Sequence, residues 1–323
     1  MVLNFFKNNQ AYHFFSVPLF VFLLWAKSFI SPILFEGADQ MPLYHMMEGI
    51  IFKIPLINNL ITIALLLFST FLILYINSAY DFISVRSFLP SNIYVFIVCG
   101  FVPLQTLHPA YFGAVFLLLA LDRLFTAFTE NFDYPNAFNA GFFIGVGTLF
   151  YAPLLFFFPV FLVGFIIWST NREWRFPILS VIGVSLPLFF TFSYYYFLSD
   201  TSLFWEVIIL NITNSSGFEF SLPLKIYAGF WVTIILIGST FLIVNFGRKT
   251  INERKFFRIF FLIFLFSILI LIWVPAVSVD IFIIQAIPAA FLFSNYLVDM
   301  KSRIWGDIFM IAIIGFTIYM LFV

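Results

Sequence analysis

Charge is what this chain has least of: Asp, Glu, Lys and Arg make up 9% of its 323 residues, 15 acidic against 15 basic, for a formal net charge of zero at pH 7. Soluble domains carry about 25% charged residues, so a water-facing surface over a single core is excluded. Cysteine is nearly absent. The one thiol, Cys99, lies inside an apolar run, which excludes an intramolecular disulfide and argues against a cysteine-based metal site. Segments of alternating polarity are missing as well, as runs such as "LITIALLLFSTFLILYI" show, and a transmembrane β-barrel requires them. Neither an internal repeat, a low-complexity linker nor a soluble domain is visible, so residues 1–323 read as one membrane domain.

What is there in quantity is apolar: 63% of the residues are hydrophobic and the mean hydropathy is +1.09. This composition predicts an all-α, polytopic integral membrane protein. Crossing the hydrocarbon layer takes about 20 residues. On that ruler eleven spans are expected, near 14–34, 56–80, 92–107, 109–128, 137–152, 153–169, 176–198, 224–246, 259–275, 277–298 and 305–323, the third and fifth being short. His108-Pro109 and Ala152-Pro153 read as tight turns, since proline ends one helix and opens the next. The N-terminus has one Lys and no small-residue cleavage site, so it reads as a first span rather than a removed signal. The 52 Phe are expected at lipid-facing positions that accept any large apolar side chain.

Basic residues orient the spans. With the N-terminus cytoplasmic, every Lys and Arg except Lys27, Lys53 and Lys225 falls in an inner loop, the densest being "GRKTINERKFFR". The expectation is N-in, C-out, with outer loops at 31–56 and 199–223. Asp122-Arg123 lies near the inner end of its span and reads as an interface anchor rather than a proton relay.

The first outer loop gathers Glu36, Asp39, His45, Glu48 and Lys53. Within it, Leu43, Met46, Met47, Ile50, Ile51 and Ile54 recur at helical spacing, while His45, Glu48 and Lys53 lie off the stripe. That pattern predicts a short amphipathic helix lying in the outer membrane interface.

A first span, an outer loop with an early acidic residue, a juxtamembrane helix and then many spans resembles the layout of the glycosyltransferase-C superfamily. The stretch "GADQMPLYHMMEG" supplies Asp39 and Tyr44, with Gln40 where a second acid often stands, and "VDIFIIQAIPAAFLFSNYLV" resembles the superfamily's late span, with Asp280 in place of its usual arginine. The stretch "NAFNAGFFIGVGTLFYAPLLFFFP" is also similar to a family of Bacteroidota inner-membrane proteins, a likeness that brings no activity with it.

The superfamily resemblance implies transfer from a polyprenyl-phosphate sugar. Such chemistry needs a carboxylate base, a cation for phosphate and a groove open to lipid. Asp39 is then the candidate base and Glu36 its alternative. Lys27, Lys53 and Lys225 are the only outer cations for the phosphate, with Tyr44, His45, Glu48 and His108 as further binding residues. Lysine offers a point charge rather than arginine's fork, and each of the three also reads as a snorkelling or helix-end residue.

No cofactor is expected. The one metal arrangement considered places a divalent ion among Asp39, His45, Glu48 and His108, without HExxH spacing. Expected partners are membrane lipids, a polyprenyl-phosphate donor and envelope proteins, and no nucleic acid. Two alternatives stand beside the glycosyltransferase: a non-catalytic subunit of a cell-envelope complex, favoured by the scarcity of buried charge, and a transporter, which would need midplane polar groups and inverted repeats.

Overall fold

The computed structural model describes residues 2–7, 13–32, 41–51, 54–83, 87–129, 134–168, 173–214, 221–300 and 302–322, and among these every regular element is a helix. The chain runs α1 (Val2–Lys7), α2 (His13–Leu24), α3 (Ala26–Ile30), α4 (Pro42–Ile51), α5 (Pro55–Ala79), α6 (Leu89–Gly100), α7 (Pro109–Thr129) and α8 (Tyr134–Thr148). It continues through α9 (Phe158–Trp168), α10 (Arg175–Phe197), α11 (Thr201–Thr213), α12 (Leu222–Val244), α13 (Ile251–Trp273), α14 (Ile281–Asp299) and α15 (Arg303–Phe322). Proline punctuates it: Pro42, Pro55, Pro90, Pro109, Pro135 and Pro223 each fall in the first two positions of a helix, where a missing N–H costs nothing.

Seven helices, α5, α7, α10, α12, α13, α14 and α15, are long and apolar enough to cross a membrane. The other four expected spans are helical but broken or short. α2 stops before Trp25 and α3 resumes after it; α6 has 12 residues, about 18 Å of helical rise against a hydrocarbon core of about 30 Å. It ends at Gly100, ahead of a 3₁₀ turn, Val102–Leu104, that contains Pro103. α8 and α9 are separated by a second 3₁₀ segment, Ala152–Phe157, set by Pro153. The segment 199–223, expected as an outer loop, contains α11.

Burial sorts centre from rim. The apolar window of α14 is 94% buried and those of α10 and α15 are 28% buried, so α14 is the axis on which α6, α7, α12 and α13 pack. Phenylalanine fills much of that centre: Phe82, Phe125, Phe260 and Phe291 are fully enclosed, and the Phe260 and Phe291 rings stack at 4.4 Å. The aromatic excess thus serves the interior as well as the lipid face. Against the rim, α8 and α10 meet backbone to backbone, because Gly141 and Gly145 face the carbonyls of Ser180 and Val184, and Gly183 faces that of Phe138.

One end of the bundle is basic. α13 opens there with a capping box in which Thr250 and Glu253 satisfy each other's backbone N–H groups. Lys249 Nζ lies 2.7 Å from Asn295 Oδ1 and 3.3 Å from Asp299 Oδ2. At the same end Asp122, 6% exposed, accepts the Tyr80 hydroxyl at 3.0 Å and pairs with Arg123 at 3.5 Å.

Candidate functional site

The opposite end carries α4, and buried hydrogen bonds hold both flanks of the segment before it. On the α3 side, Ser28 Oγ donates to Gln105 Oε1 at 2.5 Å, Asn59 Nδ2 donates to the Ser28 carbonyl at 2.7 Å, and Gln105 Nε2 donates to the Cys99 carbonyl at 2.9 Å. On the α4 side, the Leu43 N–H donates to the Leu149 carbonyl at 3.2 Å and the Tyr44 hydroxyl to the Leu107 carbonyl at 2.8 Å. Met41 is buried, and Tyr44, 2% exposed, packs edge-on against Phe112. α4 is therefore docked on the bundle through Met41 and Tyr44, while Met46, on the apolar stripe, faces outward at 60% exposure.

Beneath this docked helix lies a cluster of titratable groups. Tyr151, in the turn after α8, donates its hydroxyl to Asp280 Oδ2. Asp280, 4% exposed and immediately before α14, also accepts the Ser278 N–H at 2.7 Å and the Ser278 hydroxyl at 3.0 Å. A carboxylate in that position complements the positive end of the helix dipole. His108, before Pro109, turns its ring back so that Nδ1 accepts the Ala110 N–H at 3.1 Å, closing the first turn of α7. Its ring centre is 6.4 Å from that of Tyr151. Burial pushes the His108 pKa down, and the nearby Asp280 only partly reverses this, so the imidazole is neutral at pH 7 with its proton on Nε2.

The expected site residues divide clearly. Asp39, Glu36 and Lys53 lie outside the described residues, as does the side chain of Glu48. Lys27 Nζ donates to the Leu321 carbonyl at 2.8 Å, in the last turn of α15, where a cation complements the helix dipole. Lys225 is exposed in the first turn of α12, and His45 is exposed on α4. Tyr44 and His108 are brought to one region, both committed to backbone partners. Among the described residues no group of three His, Cys, Asp or Glu is disposed to hold a metal ion. The Tyr151–Asp280 pair was not foreseen; its signal was an acid directly before the apolar run "IFIIQAIPAAF". Comparison with protein-family models, with curated proteins and with solved structures finds no match.

Proposed function

We propose that this multi-pass membrane protein crosses the inner membrane eleven times, N-in and C-out, and acts on a lipid-linked sugar at the outer face in the manner of the glycosyltransferase-C superfamily. The observation that carries the reading is the clamping of both flanks of one segment. Ser28, Gln105 and Asn59 fix the end of α3, Met41 and Tyr44 fix the start of α4, and the sequence between them contains Glu36 and Asp39. A base is effective when held in register with the group it deprotonates, and a short segment tied at both ends suits that need. In this reading Asp39 activates an acceptor hydroxyl, Glu36 is its alternative, and Lys53 and Lys225 attract the donor's phosphate. Lys27 steadies the end of α15 instead.

The alternative of a non-catalytic envelope subunit draws on a different observation: Tyr44, His108, Tyr151 and Asp280 each bond within the protein. One variant separates the two. Asp39→Asn removes charge with little change of shape, and loss of a general base typically costs about 10²- to 10⁴-fold in rate. The expected result in membranes supplied with a polyprenyl-phosphate sugar is loss of transfer at unchanged protein level. A fall in protein level with no transfer by the wild type favours the subunit.

A further inference from the structure

At the basic end a groove of about 340 Å³ opens on the bundle's flank, floored by α13 and walled by α9 and α12. Its lips are Ile167 and Ile243, both exposed; Ser239 and Leu262 lie at its inner reach, and Phe246 and Arg258 stand at its mouth. From Ser239 to Phe246 the helical rise is about 10 Å, some two-thirds of the roughly 15 Å of hydrocarbon in one leaflet. An apolar lining over that length matches a hydrocarbon chain reaching from the membrane surface into one leaflet.

Charge at the mouth completes the match. The Arg258 guanidinium sits 5.1 Å from the Phe246 ring centre and that of Arg254 5.8 Å from the same ring, one helical turn apart on α13. Arg258 thus lines a slot whose walls are otherwise aliphatic or aromatic apart from the Ser239 hydroxyl, while Arg254, one turn before it, donates through Nε and Nη2 to the Lys249 and Gly247 carbonyls. We infer that this groove is a binding site for one phospholipid of anionic headgroup, with an acyl chain between α9 and α12 and its phosphate at Arg258. The site is separate from the α4 end and does not depend on the reading given for it.

Native mass spectrometry tests this on the full-length protein purified in detergent and mixed with equal amounts of phosphatidylglycerol and phosphatidylcholine of the same chains. One phosphatidylglycerol is retained per protein in preference to phosphatidylcholine by about fivefold, the contribution of one basic side chain at an anionic surface. Arg258→Gln brings the preference close to one, Arg258→Lys keeps most of it, and Ile243→Trp, which fills the slot, lowers retention of both lipids. Equal retention of the two lipids by the wild type, an unchanged preference in Arg258→Gln, or a dimer that carries no lipid overturns the proposal. Unchanged thermal unfolding of the lipid-free variants assigns the losses to the site rather than to the fold.

Discussion

One imidazole nitrogen governs how the α4 end responds to acid. His108 Nδ1 can accept the Ala110 N–H only while unprotonated, and a second proton would also set a cation against the positive end of α7. Burial depresses the folded-state pKa below the unfolded value of about 6.5. The folded chain therefore binds fewer protons than the unfolded one in that window. The resulting stability is fully present above about pH 6.5 and is lost as pH falls from there through the folded pKa. His108→Asn retains a capping side chain but does not titrate. Between pH 7.5 and 5.5 the wild type is expected to lose more Tm in detergent than this variant, and equal losses would rule out the role. At this scale the sequence was only half legible. His108 before Pro109 announced a capped turn, but its proximity to Tyr151 and Asp280 joins positions 43 and 172 residues further along the chain, and no local pattern encodes such a meeting.

Among the elements, α8 and α10 depend most directly on side-chain size. A Cβ built on Gly183 would lie 2.2 Å from the Phe138 carbonyl oxygen, and one on Gly141 would lie 2.0 Å from that of Ser180. Backbone cannot move aside as a flexible side chain can, so Gly183→Val should exceed the 1–3 kcal/mol typical of overpacking and sharply reduce the yield of monodisperse protein. Gly229 on α12 has nothing within 4 Å. Gly229→Ala should therefore be neutral or stabilising by up to about 1 kcal/mol through helix propensity. Similar yields of the two variants on size-exclusion chromatography would contradict the close packing. The elements themselves were largely written in local pattern. The stripe from Leu43 to Ile54 announced α4, and the prolines announced where helices begin. Which edge of the stripe docks was not, because Tyr44 and Met47 at one edge are chosen by a pocket made of Leu107 and Phe112, while Met46 at the other faces outward. α11 was missed because its apolar residues are too few to span and its polar ones resemble a loop.

For the whole molecule the sharpest expectation is orientation, since α4 and the basic loop proposed to lie inside fall at opposite ends of the bundle. With Cys99 replaced, single cysteines at His45 and Ile251, both exposed, report each end to an impermeant maleimide. Labelling at 45 and none at 251 in intact cells is expected; the reverse pattern inverts the topology and removes the outer-face reading with it. The sequence by itself determined that this is a helical membrane protein, because composition and run length are sums over neighbouring residues and survive without any knowledge of contacts. It determined the apolar segments for the same reason, and a charge distribution that depends only on counting. Tertiary structure alone decided that α14 is the buried axis while the equally apolar α15 is rim. It also decided that the Tyr151 hydroxyl donates to the Asp280 carboxylate at the α4 end. In an apolar environment lipid-facing and protein-facing residues look alike in sequence, because hydrocarbon and a packed interior both accept Phe, Leu and Ile. Only close packing, backbone approach at glycine and the pairing of the few buried polar groups tell them apart.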